Sequence, residues 1–177
     1  MSPEQLNAAG FVINGEFEAQ PSGLPFDWTI KPGNGVTVAV EPLPQDPTGH
    51  ALSVIFSQGR ANFVPVVQLT MLTPGAYTFA TRIKGQMSGR RGLLWRIACV
   101  EKPKDALAQS PNSLGKNPDW AVQEFNFTIP VQGCQAQYLK LELDARSASE
   151  QLVSGAVWYD DVAIKRKASP ASDSSKQ

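Results

Sequence analysis

The sequence predicts an all-β protein, an antiparallel sandwich or barrel. Three observations carry that reading. Apolar residues recur with period two or in short runs, not with the 3.6-residue spacing of a helix. Turn formers punctuate the runs as PSGLP, PGNG, PQDPTG, TPG, SGRRG and PVQG, drawing on 14 glycines and 14 prolines. No strand–helix–strand rhythm appears, so a parallel sheet with crossover helices is not expected.

Taken in order, the apolar runs place strands at 10–13, 26–30, 36–41, 51–56, 63–72, 76–84, 92–100, 121–129, 137–143 and 155–165. The turn signals fall between these runs. The segment 102–113, KPKDALAQSPNS, lacks alternation and reads as a short helical turn or a long loop. The closing KRKASPASDSSKQ is disordered by composition. One sandwich domain over 10–166 is expected, with a flexible segment at 1–9 and a disordered tail at 167–177.

Alternation also sorts side chains by face. In GLLWRIACV, Leu93, Trp95, Ile97 and Cys99 share one side, and Leu94, Arg96 and Ala98 the other. In YTFATRIK, Tyr77, Phe79, Thr81 and Ile83 alternate with Arg82 and Lys84. In QYLKLEL, Leu139, Leu141 and Leu143 face the core, while Tyr138, Lys140 and Glu142 point away. One apolar and one polar face per strand suits two sheets packed face to face.

The chain has 177 residues, which sets one domain as the expectation. Sixteen basic residues balance sixteen acidic ones, so net charge exerts no pull toward nucleic acid or an anionic membrane. No apolar run approaches the length of a membrane span, and no membrane insertion is expected. No signal peptide is visible, and MSPEQLNAAG reads as an initiator on a mature chain or the start of a domain cut from a larger one. Cys99 and Cys134 are too few for a four-cysteine metal site, and His50 adds little. They are two buried thiols or one disulfide made in an oxidising compartment. Their places by strand ends favour the disulfide, worth about 4 kcal/mol for a loop of that length.

Three stretches together resemble jelly-roll carbohydrate-binding modules of the xylan- and glucan-binding type, which are galactose-binding-domain-like. FVINGEFEAQPSGLPFDW resembles their NGxFE…W opening. VVQLTMLTPGAYTFATRIKG resembles their central hairpin, and GAVWYDDVAI their last strand. The three span Phe11 to Ile164 in the family's order. A more distant resemblance links Trp95, GCQAQYLKLELDARSASE and WYDD to a C-terminal domain of bacterial envelope proteins with tetratricopeptide repeats.

The first resemblance implies an antiparallel jelly-roll β-sandwich. It also implies a structural calcium ion tying the amino-terminal segment to the last strand. Its side-chain ligands would come from Glu16 or Glu18 and from Asp160 or Asp161, with Glu18 and Asp160 preferred. Calcium takes six to eight hard oxygens, many of them carbonyls, which two adjoining ends of a sandwich can supply. The same four acids also suit solvation or hydrogen bonding to strand ends.

Sugar recognition needs aromatic faces and planar polar groups. Gln68, Arg82, Lys84, Arg96, Tyr138, Lys140 and Glu142 are expected on the polar faces, lining one concave surface if their strands are neighbours. They would suit an acidic or heavily hydroxylated ligand, and they also suit a plainly solvated sheet. Trp28, Trp95, Trp120 and Trp158 are expected to pack, and Tyr159 to point outward with Tyr138. Catalysis is not expected. Glu142 is the one acid placed on the polar face with Asp144 near the strand end, and His50 has no partner in sequence. PGNG and SGRRG lack a strand–helix setting, so no phosphate loop is expected, and Arg90 and Arg91 read as a solvated turn. The expectation is a non-catalytic carbohydrate-binding module with a structural calcium ion, periplasmic or extracellular. The alternative is an interaction or assembly module contacting other domains of a larger envelope protein.

Overall fold

Two antiparallel sheets pack face to face in the computed structural model, which describes residues 11–43, 46–57 and 59–167. The strands are β1 (Val36–Leu43), β2 (Asp46–Phe56), β3 (Val66–Thr70), β4 (Gly75–Gly89), β5 (Leu93–Cys99), β6 (Ala106–Gln109), β7 (Gly115–Ile129), β8 (Gln137–Leu143) and β9 (Val153–Arg166). One sheet has the order β1-β2-β9-β4-β7 and the other β3-β8-β5-β6. Each chain-order neighbour on one sheet is thus often split by a strand from elsewhere in the sequence. β9, the last strand, lies between β2 and β4. This is the jelly-roll form of the all-β antiparallel sandwich. The expected flexible segment 1–9 and all of the expected tail 167–177 except Lys167 lie outside the described residues.

The alternating runs form these strands because one row of side chains can leave water while the other stays wet. Trp95 stands at the centre of the core. Tyr159 meets it edge-on at 5.5 Å, Phe79 lies at 5.6 Å and Trp28 at 5.7 Å between ring centroids. Phe17 stacks on Trp28 at 5.4 Å, and Phe125 stacks on Phe79 at 4.7 Å. Aromatic pairs of this kind add about 0.5–1.5 kcal/mol beyond the area they bury. The phenylalanine and tryptophan of the opening motif therefore serve the core.

Several expected elements differ in the structure. Gly10 lies outside the described residues, and residues 11–13 and 26–30 are not strands. Phe11 donates its N–H to the Ile164 carbonyl at 3.0 Å, and Thr29 forms a single bridge with Val67. The segment 102–113 contains β6, a half-exposed edge strand paired with β5, in place of a short helical turn or an unpaired long loop. β7 begins well before residue 121 and runs through Pro118. There β4 steps from Ile83 to Gly85 while β7 steps from Ala121 to Asn117, so the proline sits in a bulge where no ladder donor is needed.

A second bulge has a larger consequence. β4 steps from Ala80 to Arg82 while β9 steps from Ala163 to Asp160, leaving one extra residue on β9. Asp161 takes φ 50°, and Thr81 Oγ1 donates to the Asp160 carbonyl at 2.9 Å. A one-residue slip inverts which side chains face the core. Val162 and Ile164 point inward on one side of the bulge, and Val157 and Tyr159 on the other. Tyr159, expected outside, is fully buried, and Trp158, expected inside, is half-buried on the outer face.

Cys99 at the end of β5 and Cys134 in the β7–β8 loop are joined by a disulfide with Cα atoms 5.0 Å apart. Gln137 braces the same end. Its Oε1 accepts the Leu72 N–H at 2.8 Å and the Thr70 hydroxyl at 3.0 Å, and its Nε2 donates to the Cys134 carbonyl at 3.1 Å.

Candidate functional site

The seven residues expected to share a concave surface do not share one. Parity placed most of them outside the core but carried no information about which sheet holds each strand. Arg82 and Lys84 lie on β4, on the outer face of the five-stranded sheet. Arg96, Tyr138, Lys140 and Glu142 lie on β5 and β8, on the outer face of the four-stranded sheet. These faces are on opposite sides of the sandwich.

Gln68 belongs to neither face. It points inward from β3 and is 1% exposed. Its Oε1 accepts the Ile13 N–H and its Nε2 donates to the Ile13 carbonyl, both at 2.9 Å. This clamp holds the amino-terminal segment as a strand partner would. A polar side chain is inward here because Ile13, outside any strand, needs its backbone groups satisfied.

On the four-stranded face the pairing sets rows across the sheet. Val67, Lys140, Arg96 and Gln109 form one row, and Leu69, Tyr138 and Ala98 another. Arg96 forms an ion pair with Glu142, donates through Nη2 to Gln109 Oε1 at 3.1 Å, and lies 3.8 Å from Asp144 Oδ1. Its Nε has no partner among the described residues. The guanidinium is thus fixed in orientation, with its Nε buried away from the outer face. Lys140 Nζ sits 5.0 Å from the centre of the Tyr138 ring, a cation–π contact that covers one aromatic face.

The five-stranded face holds two shallow hollows. The first, of about 440 Å³, is lined by Arg82, Val122, Glu124, Asp161, Lys165 and Glu16 among others. Arg82 lies 4.9 Å from the centre of the Trp120 ring, and its Nε is 2.6 Å from Asp161 Oδ2. The N–H is not aimed along that contact, so it is an ion pair without a directed hydrogen bond. The second hollow, of about 510 Å³, lies further along β4 beside Trp158 and includes Lys84.

The four acids of the expected cation site separate into two pairs. Glu16 and Asp161 face the first hollow with Arg82. Glu18 and Asp160 form the other pair, near enough that the Glu18 charge acts on the Asp160 carboxyl, with Asp160 on β9 between β2 and β4. The NGEFE turn reaches them because Gly15 packs against β9. The Val162 N–H donates to the Gly15 carbonyl at 2.9 Å, and a Cβ on Gly15 would sit 2.0 Å from the Val162 carbonyl oxygen. Glu18 accepts the His50 backbone N–H at 3.1 Å and lies 3.4 Å from His50 Nδ1.

Asp160 is 5% exposed. Its Oδ1 accepts the Asp161 N–H at 2.8 Å, and Oδ2 lies 3.5 Å from Arg82 Nη2. Burial pushes its carboxyl up to about 7, with like charge on Asp161 and Glu18 adding to the effect and the Asp161 N–H and Arg82 opposing it. Among the described residues no group of three His, Cys, Asp or Glu side chains is placed to hold a metal. Also among them, no helix is long and apolar enough to cross a membrane.

No protein-family model and no curated protein matches the sequence. The fold does match solved structures. A CBM4 carbohydrate-binding module aligns with TM-score 0.61 and 15% identity over 88% of this chain and 99% of its own. TmCBM61, solved in complex with β-1,4-galactotriose, aligns with TM-score 0.54 and 15% identity over 89% of this chain and 98% of its own. The CBM22-1 xylan-binding domain of Xyn10C from Paenibacillus barcinonensis aligns with TM-score 0.53 and 16% identity over 88% of this chain and 94% of its own. At these identities the likeness establishes a common fold.

Proposed function

We propose that this domain binds carbohydrate without transforming it, on the outer face of the four-stranded sheet. The observation that carries the reading is Arg96, held by Glu142 and Gln109 in a row with Lys140 and beside Tyr138. A pre-oriented guanidinium and carboxylate meet sugar hydroxyls with little side-chain entropy left to lose. Lys140 competes with a sugar ring for the Tyr138 face, so hydrogen bonding to Arg96 and Glu142 is the main source of affinity. The fold shared with carbohydrate-binding modules supports this reading. A glycan array probed with the wild-type domain and with Arg96→Ala tests it. Glycans retained by the first and lost by the second support the site. Signals identical for both proteins remove Arg96 from it.

We further propose a structural calcium ion between Glu18 and Asp160, with backbone carbonyls completing its shell. A buried carboxylate with like charge from Asp161 and Glu18 is poorly compensated by one backbone N–H and an arginine at 3.5 Å. A divalent cation would supply the missing charge, hold Asp160 ionised, and fasten the amino-terminal turn to β9. Two side-chain ligands suffice only where carbonyls provide the rest, as calcium accepts and zinc does not. The test is the melting temperature with chelator and with added calcium. An increase on adding calcium, absent in Glu18→Gln, supports the ion.

A further inference from the structure

We propose a second ligand site on the opposite side of the molecule, for a carboxylate-bearing glycan, in the hollow beside Trp158. The site follows from the two bulges. The slip at Asp160–Asp161 turns Trp158 outward, opposite Lys84 on β4 and Ser53 on β2. The irregularity at Pro118 falls beside Lys84, and Lys116, Asn117 and Pro118 line the hollow on that side. Between them the floor is low, because Gly85, Gly155 and Ala156 carry little or no side chain.

Trp158 is the tryptophan left without a partner. Trp28 and Trp95 pack against other rings in the core, and Trp120 lies under the Arg82 guanidinium. Among the described residues Trp158 makes no ring contact, no cation contact and no side-chain hydrogen bond. A half-buried indole beside an open floor presents an apolar face on which the C–H face of a sugar ring stacks, with its N–H free to donate.

The polar groups around it specify charge. Lys84 stands directly across from Trp158, and Lys116 is one row along, paired in register with Gln86. Neither lysine is in an ion pair with any described residue. Two unneutralised ammonium groups in the same hollow, to one side of the aromatic face, complement a carboxylate on the stacked sugar. Gln86 and Asn117 line the same hollow and suit hydroxyls, since each amide offers both donors and an acceptor. On the opposite face Lys140 already covers the Tyr138 ring, and Arg96 is neutralised by Glu142 and Asp144.

Titration with tetragalacturonate, followed by calorimetry and tryptophan emission, tests the site. Wild-type protein is expected to bind it more tightly than neutral xylotetraose, to change its emission on binding, and to lose affinity as sodium chloride is raised. Trp158→Ala is expected to weaken binding at least five-fold. The double variant Lys84→Gln/Lys116→Gln is expected to do the same and to flatten the salt dependence. These lysines are surface groups, so the double variant decides the matter if Trp158→Ala unfolds. No tetragalacturonate binding at millimolar concentration overturns the proposal. So does a loss of less than five-fold in the folded variants, or affinity independent of salt. The proposal is independent of the Arg96 surface: failure of every neutral glycan would remove that reading and leave this test standing.

Discussion

Replacing Asp160 by asparagine should stabilise the ion-free protein at neutral pH. Burial, with the neighbouring Asp161 and Glu18, raises the Asp160 carboxyl from its ordinary 3.8 to about 7. Below pH about 4 the group is protonated in folded and unfolded chains alike and contributes no penalty. Between about 4 and about 7 the folded protein holds a proton that the unfolded chain releases, so stability falls as pH rises. Above about 7 the penalty is complete. A shift of about three units at 1.36 kcal/mol each sets an upper limit of about 4 kcal/mol, and water relaxing around the charge reduces it to about 2–4 kcal/mol. Asparagine keeps the volume and an oxygen for the Asp161 N–H, and Arg82 keeps Asp161 as its partner. Urea unfolding in chelator from pH 4 to pH 8 measures the difference. The variant should equal wild type at pH 4 and exceed it by about 2–4 kcal/mol at pH 8. Saturating calcium should reverse the order, because the variant loses a ligand while wild type gains the ion. A variant no more stable than wild type at pH 8 in chelator would refute the buried-charge argument.

Reducing the Cys99–Cys134 disulfide, whose cysteines are 35 residues apart, should lower unfolding free energy by about 4 kcal/mol on the chain-entropy model, read by denaturant titration with and without reductant. Gln68→Ala should lose about 2–4 kcal/mol by stranding both backbone groups of Ile13, and should free the amino-terminal segment to exchange its amide protons. Gly15→Ala should destabilise by displacing the NGEFE turn from Val162, and should weaken any calcium response with it, as melting with and without calcium would show. Tyr138→Ala should leave stability within about 0.5 kcal/mol by the same denaturant measurement, since the ring is on an outer face.

The core was legible wherever alternation ran unbroken. Trp95, Phe79 and Leu139 face inward as their period predicts, because each strand keeps its register along that stretch. The reading failed where register changed. Counting back from Val162 and Ile164 passes through the bulge at Asp161 and exchanges Trp158 for Tyr159. The one weak signal of that slip was two aspartates in the middle of an apolar strand. β6 was missed because ALAQ is a short edge strand, half wet on both sides, with no alternating pattern to read. Gln68 misled because a polar residue at an inward position looks the same in sequence as one at an outward position. The division of Arg82 and Lys84 from Arg96, Tyr138, Lys140 and Glu142 was beyond parity altogether. Which sheet a strand joins is decided by long-range pairing, and period two says only which side chains share a face.

Isothermal titration of the intact domain with neutral oligosaccharides, xylan- and galactan-derived, tests the central claim most directly. Wild type should bind at least one of them. Arg96→Ala should then weaken that binding by about 1–3 kcal/mol, the loss of a ligand-facing charged hydrogen bond, while folding is retained. A wild-type domain that binds none of the panel, but self-associates or captures a protein through the Arg96 face, would contradict carbohydrate recognition and establish that face as an assembly surface.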